Sequence, residues 1–424
     1  IDSVVVKGTI NKADFQTLYN CSRLGKLTVL NLEGATIEGN RIPDYALFYP
    51  NITDDYLNIQ RIILPDNVTE IGKYAIAVMY LKKINFPSSL KKFSKGSFYG
   101  CHWMEVDPLV IPEGITEIPW LCFGHCQSFR KLESFRKLVL PQSLKIIDGF
   151  AFYNNRMDEM NLPEGLDSIG NSAFWSSPLL RRVVIPESAI HLGIGAFAQT
   201  DSLRSINIPL GVTEIPDLFL AYSNEIDTII IPDGVTRIGN SAFQMDYDLS
   251  YVRWPKSLKR IETYAFYNTN IIEIIFPETL EYIGSTAFFY LDLLERVYCM
   301  AKIPPKAELD SHNFYYGPFH LSEKNCTLYV PKGTGDLYRS ADGWKEFDNI
   351  VETDNFPSSC GITFAPSCTV STSDGEIIIN NPTDIPTRVS VYAVNGNLVR
   401  QEKVVGTFAI TVSPLLRFHR GFIW

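Results

Sequence analysis

Five residues between positions 101 and 126 could hold a metal ion: Cys101, His102, Cys122, His125 and Cys126. Thiolate sulfur and imidazole nitrogen are the donors zinc prefers, and a structural zinc site takes four of them. The spacing, Cys-His and then Cys-x2-His-Cys, is not a pair of Cys-x2-Cys knuckles. Phase argues against the metal as well. Cys101 and Cys126 each stand three residues after a phenylalanine, Phe98 and Phe123, and Cys21 stands three after Leu18. Cys122 takes a position that holds alanine elsewhere. Small, weakly polar thiols recurring at one phase are expected to be core residues.

Other chemistry is sparse. No G-x-S-x-G elbow, H-E-x-x-H pair or phosphate-loop sequence is present, and Gly193-Ile194-Gly195 falls inside a repeated turn. Six histidines are scattered, and no pair of carboxylates is recognisable without geometry. The expectation is a protein that is not an enzyme and needs no cofactor and no metal. Cys360 and Cys368 lie eight apart in a predicted hairpin and could close a disulfide in an exported protein. Cys299 and Cys326 could pair further upstream. Asn51-Ile-Thr and Asn67-Val-Thr match glycosylation sequons.

The 424 residues leave room for two or three domains. With 46% apolar and 20% charged residues, the composition is that of a globular protein. A net charge of −9 argues against a general nucleic-acid or anionic-membrane binder. No apolar run approaches the ~18 residues of a spanning helix. The sequence opens on Ile1 with no initiator Met, which fits a trimmed mature form.

What must position any functional side chain is a repeat. Prolines fall at 65, 87, 112, 141, 163, 186, 209, 232, 255 and 277, mostly 22 or 23 residues apart. A period in this range predicts a solenoid. The text between prolines also recurs, as in LPEGLDSIGNSAFWSSPLLRRVVIP (162–186) and IPDGVTRIGNSAFQMDYDLSYVRWP (231–255). The idealised unit is I-P-x-G-V-x-x-I-G-x-x-A-F, about six residues, then L-x-x-I-x-I-P. The alternating L-x-x-I-x-I predicts a short strand buried on one face. Proline closes it because it cannot donate to a continuing ladder. The I-G-x-x-A-F segment is too short for a stable helix, so a turn or one helical turn is expected on the opposite wall. Its alanines (75, 151, 173, 196, 242, 265 and 287) permit close coil-to-coil approach, and its phenylalanines (98, 123, 152, 174, 197, 243, 266 and 288) fill the interior.

These motifs resemble the leucine-rich repeats of the BspA type, found largely in bacterial surface and secreted proteins. The resemblance covers roughly residues 4–352. TVLNLEGATI (28–37) is similar to the family's first strand, and VYCMAKIPP (297–305), TLYVPKG (327–333) and GWKEFDNIVE (343–352) to its closing coils. It implies an α/β-type repeat solenoid dominated by short parallel strands, about 23 residues per coil, over residues 1–352. A linker is expected over 353–371 and a small all-β domain over 372–424. There, VYAVNGNLV resembles the C-terminal β-sandwich of many secreted Bacteroidetes proteins, some versions of which act as type IX sorting signals. Asn395-Gly396 is a strong hairpin signal. SPLLRFHRGFIW (413–424) departs from the sorting pattern, and the sandwich is expected to lack a full final strand.

In L-x-x-I-x-I-P the residues four and two before the proline point outward, and stacked coils align them in two columns. The first reads Arg61, Lys83, Pro108, Lys137, Glu159, Arg182, Ser205, Thr228, Tyr251, Glu273 and Arg296. The second reads Ile63, Asn85, Val110, Val139, Asn161, Val184, Asn207, Ile230, Arg253, Ile275 and Tyr298. The residue after the proline is often acidic: Asp66, Glu113, Glu164, Glu187, Asp233 and Glu278. A basic strand face with an acidic edge is expected. A solvated sheet whose residues were chosen for strand propensity would show the same aliphatics. The functional reading is a binding face of Arg61, Lys83, Lys137, Arg182, Tyr251, Arg253, Arg296 and Tyr298, which engages an acidic protein segment or an anionic glycan.

One coil is longer. Its prolines, 112 and 141, stand 29 apart, and it contains SFRKLE followed by SFRKLV (128–139), a six-residue tandem duplication. The second copy is expected to form the strand, because it places Leu138 and Leu140 inward and ends on proline, while 128–133 bulge outward. The function expected is a secreted or cell-surface, adhesin-like module that binds a protein on a host or neighbouring cell. The alternatives are a glycan-binding component of a surface nutrient-capture system and a structural spacer.

Overall fold

The computed structural model describes residues 2–24, 26–50, 56–102, 104, 108–126, 137–309, 317–319 and 326–357, and the backbone of five strands between Thr369 and Thr411. The chain divides into two compact units, Ile1–Phe356 and Pro357–Trp424.

The first unit is the expected solenoid, and each coil has three walls. The front wall is built from the proline-terminated strands, among them Arg61–Ile63, Lys137–Val139, Thr228–Ile230 and Glu273–Phe276. Every described neighbour pair is parallel, for example Arg61 opposite Lys83 and Glu273 opposite Arg296. Burial alternates as the pattern predicts, with Ile62 and Leu64 buried and Arg61 exposed. The ladder is not one continuous sheet: it breaks after Lys83–Ile84, Glu159–Asn161, Ser205–Ile206 and Tyr251–Arg253. Strands of two to four residues, closed by a proline with no N–H, leave few bonds to bridge each junction.

The second wall is a further row of parallel strands, in three sheets, that the sequence did not separate from the turns. It uses two-residue strands such as Glu70–Ile71, Ser168–Ile169 and Arg237–Ile238, placed just before the repeated glycine. The glycine is required by close approach. A Cβ on Gly193 would stand 2.3 Å from the Asn171 nitrogen of the preceding coil, and one on Gly170 2.5 Å from the Gly149 nitrogen.

The third wall is turns rather than a helical turn. Alternate N–H groups reach the next coil: Phe150 to Asn171 O (2.8 Å), Phe152 to Ala173 O (2.9 Å) and Asn154 to Trp175 O (2.8 Å). Between them, i to i+3 turns close within the coil, as from Tyr153 N–H to Phe150 O at 3.1 Å. This zigzag needs a left-handed residue every fourth position, and it places Leu121 and His125, Phe150 and Asn154, and Tyr264 and Asn268 at φ between 56° and 59°. Left-handed backbone costs a non-glycine residue roughly 1–2 kcal/mol. The inter-coil bonds offset that cost.

Inside, the repeated alanines are fully buried and the phenylalanines stack. Phe123–Phe152, Phe152–Phe174 and Phe174–Phe197 lie 5.3–5.7 Å apart with planes within 7°. Leu220 takes the next place and interrupts the stack, which resumes at Phe243–Phe266 (5.1 Å).

Both ends are closed. Helix Lys12–Leu24 buries Phe15, Tyr19 and Ser22. Cys21, expected in the core, is instead exposed on this helix, because helical periodicity and not the repeat's turn sets its direction. At the other end Tyr338 Oη donates to Ala301 O (2.7 Å) and Trp344 Nε1 to Pro305 O (2.8 Å). Cys299 and Cys326 are buried free thiols and do not pair. In the long coil Leu138 lies opposite Leu109 and Met160, so the second copy of the duplication supplies the strand. The bulge expected at 128–133 lies outside the described residues.

In the second unit, Thr369–Ser373, Glu376–Asn381 and Gly406–Thr411 form an antiparallel sheet, and Thr387–Tyr392 pairs with Leu398–Val404. Cys360, Cys368, Asn395-Gly396 and 413–424 lie outside the described residues.

Candidate functional site

The front wall brings the proposed binding residues into two columns, but their surroundings differ. Arg61 lies directly opposite Lys83, with Val29 on its other side. Both cations are exposed, and among the described residues no carboxylate comes within ion-pair distance of either. Like charges directly opposite one another in a sheet are destabilising, so nothing in the strand pairing itself favours this arrangement. Lys137 is exposed opposite Glu159, and Arg182 is half-buried opposite Ser205.

Toward the other end, the cations are held within the solenoid. Arg253 turns back to the preceding coil, with Nη2 3.2 Å from Asp233 Oδ1 and Nη1 donating to Ile231 O at 3.3 Å. Arg296 donates to Glu273 (2.8 Å) and Glu295 (2.8 Å). The Glu273 hydrogen bond is the main reason its guanidinium holds its proton more tightly than usual. The acidic edge also fastens coils together: Glu113 accepts the Gln142 N–H at 3.0 Å and Glu187 the Leu210 N–H at 2.8 Å.

Tyr251 is exposed opposite Thr228. Tyr298 stacks on Tyr329, with ring centroids 4.6 Å apart and planes at 15°. The sequence reading stopped one strand short of Tyr329. Its signal was present in TLYVP (327–331), which ends on proline and places Tyr329 two before it, in the second column. Asn85 and Asn207, assigned to the same column, are taken up by the backbone. Asn207 accepts the Ile185 N–H (2.7 Å) and donates to Ile185 O (2.8 Å), and Asn85 does the same to Leu64 (2.7 and 3.0 Å).

The second wall provides the contrast. There Arg237 also lies directly opposite Arg260, but both are held by Glu262, Arg237 reaches Asp217 (3.0 Å) as well, and Arg41 and Lys92 both reach Glu70. Among the described residues, Arg61 and Lys83 are adjacent cations of the front wall that no carboxylate holds, in contrast to Arg237 and Arg260.

The metal-ligand types do not converge. Cys101, Cys122 and Cys126 are fully buried, and burial pushes the Cys126 thiol up to about 12. Cys101 Sγ donates to Ile76 O (3.0 Å) and Cys126 Sγ to Phe98 O (3.2 Å). His102 Nε2 bonds the Tyr56 hydroxyl (2.6 Å), and His125 Nδ1 bonds the Asn154 amide (2.8 Å). Among the described residues no three His, Cys, Asp or Glu side chains gather in a way that could hold a metal ion.

Parallel coils of this length, with a proline-closed front strand and a glycine-spaced second strand, define a leucine-rich-repeat solenoid. The BspA type leucine rich repeat region matches in six copies, over residues 51–134, 109–227 and 213–316, and the chain belongs to this family. No curated protein matches it. Among solved structures it is similar to a leucine-rich repeat protein from Bacteroides ovatus at 20% identity, with 72% of this chain and 83% of that one covered and a TM-score of 0.44. A leucine rich cell surface protein from Faecalibacterium prausnitzii is 18% identical, with 70% and 87% covered and a TM-score of 0.37. The pneumococcal vaccine antigen PcpA is 16% identical, with 78% and 85% covered and a TM-score of 0.39.

Proposed function

We propose that this chain is a non-enzymatic, adhesin-like module at the cell surface or in the secreted fraction, and that its front wall engages an acidic segment of a protein partner. The observation that carries this reading is the in-register pair Arg61 and Lys83, exposed and, among the described residues, without a carboxylate in ion-pair reach, whereas Arg41, Lys92, Arg237 and Arg260 of the second wall are each held by a glutamate. An acidic partner relieves the repulsion between them and gives a salt-sensitive association. Lys137 and Arg182 extend the same column, and the Val110 and Val139 side chains beside them are exposed. Among the described residues no helix is long and apolar enough to cross a membrane.

The tyrosines favour a second reading, a glycan-binding component of a surface nutrient-capture system. Tyr251, Tyr298 and Tyr329 give the other end of the face an aromatic surface with hydroxyl groups, which suits sugar rings. The test is a screen of the full chain against immobilised acidic peptides, matrix proteins and polysaccharides, repeated with Arg61, Lys83, Lys137 and Arg182 reversed to Glu. Loss of peptide or protein binding, and of its salt dependence, supports the first reading. Unchanged affinity for peptide or protein in the reversed variant overturns the first reading, and binding confined to polysaccharides favours the second.

A further inference from the structure

A column of buried polar side chains runs along the inside of the turn wall: Asn155, Ser177, Thr200, Ser223, Asp246 and Thr269, all at most 1% exposed. They continue the positions of Cys101 and Cys126. The members whose partners are recorded show the task of this position. A member can serve the preceding coil twice, as Ser223 does, giving a hydrogen to a carbonyl left out of the inter-coil ladder and accepting one from a backbone N–H. Thr200 and Thr269 instead donate to the Phe197 and Phe266 carbonyls of their own coil, and Asn155 Oδ1 and Ser177 Oγ have no partner among the described residues. Cys126 donates to Phe98 O, Asn155 Nδ2 to Phe123 O (2.9 Å) and Ser223 Oγ to Phe197 O (3.2 Å). Ser223 Oγ also accepts the Thr200 N–H at 3.4 Å.

Asp246 performs the accepting half, since its Oδ1 takes the Ser223 N–H at 2.7 Å. Among the described residues its Oδ2 is buried without a partner. By the spacing of the column the carbonyl it addresses is that of Leu220, which receives no hydrogen bond among the described residues. An ionised carboxylate has only acceptors, so it cannot complete the pattern, whereas a carboxylic acid has one acceptor oxygen and one O–H donor, as the position requires. Among the described residues no opposite charge compensates. Neutral Ser223 and Thr269 hold this column position in the coils before and after, Tyr247 and Asp248 of its own coil are exposed, and burial alone drives the upward shift of its proton affinity.

We propose that Asp246 is carried in the folded solenoid as a neutral carboxylic acid and makes the junction between its coil and the preceding one a pH-sensitive joint, tight in acid and loosened as pH rises. In the unfolded chain the group ionises near the ordinary 3.8, and in the solenoid it ionises well above that. Its stabilising contribution is therefore complete below 3.8 and is lost as pH rises through the folded value. The same coil carries Tyr251 and Arg253 on the front wall, so the joint lies beneath the aromatic end of the proposed binding face.

The test compares thermal unfolding of the full chain and of Asp246→Asn across pH. Asparagine supplies a donor and an acceptor at every pH. The wild type is expected to lose melting temperature more steeply than Asp246→Asn as pH rises, so that the two melting curves, close together in acid, separate with the wild type lower. Parallel profiles for the two proteins overturn the proposal. Infrared spectroscopy of the wild type decides independently if the variant folds poorly. A carboxylic-acid carbonyl band persisting at neutral pH supports the inference, and its absence overturns it.

Discussion

Phe98 and Phe123, 25 residues apart in sequence, lie with ring centroids 5.1 Å apart and planes within 2° of parallel. That distance sets the scale of the molecule, because each coil stacks on the next at the separation of neighbouring parallel strands, about 4.8 Å. The stacked rings of successive coils are the continuous core that no single coil could bury alone.

Removing one ring should be felt by its neighbours on both sides. Phe174 is fully buried between Phe152 and Phe197. Phe174→Ala should cost about 3–5 kcal/mol, read as a lowered denaturant midpoint. A cost below ~1 kcal/mol would mean that the stack can collapse around the gap.

The thiols should separate by reactivity. Alkylation follows the thiolate, and burial holds Cys126 near 12 and keeps Cys101 and Cys122 well above the ordinary range. Near pH 8 in the native protein, mass spectrometry should find Cys21 modified while these three stay intact. Their reactivity should appear only on unfolding. Rapid labelling of Cys126 in the folded chain would contradict its placement.

The asparagines of the second column, which the sequence places facing outward, make a stability prediction. Asn207 satisfies both polar backbone groups of Ile185. Asn207→Ala should destabilise by about 1–3 kcal/mol and speed hydrogen exchange at the Ile185 amide, with binding by the face unaffected. An unchanged exchange rate would show that the two bonds are not holding that amide.

Deleting 128–133 should leave the solenoid intact. Lys137–Val139 already supplies the strand that pairs with Leu109–Val110 and Glu159–Asn161, and the shortened coil returns to 23 residues between prolines. The circular dichroism spectrum and melting temperature should match those of the wild type. Loss of cooperative unfolding would show that the first copy has a structural role.

The sequence by itself determined the coil length, the proline-closed strand, the inward phenylalanines and the small alanines. These are local consequences of period, side-chain volume and a missing N–H, and they repeat often enough to be read without coordinates. It also placed Arg61 beside Lys83, because alternation along a strand and one fixed period settle which residues become neighbours. Tertiary structure alone decided the rest. The second wall is made of two-residue strands that alternate too briefly to be recognised, and it exists because stacked coils offer their backbones a partner. Leu121, Phe150 and Tyr264 are left-handed although their intrinsic preferences oppose it, since only that geometry sends alternate N–H groups to the next coil. Whether an outward cation stays free for a partner, as Arg61 does, or is held by its own coils, as Arg253 and Arg296 are, depends on which carboxylates the stacking brings within about 3 Å. Neighbouring coils likewise turn an ordinary aspartate at 246 into one whose second oxygen has no partner among the described residues, because they remove the water that would otherwise have served it.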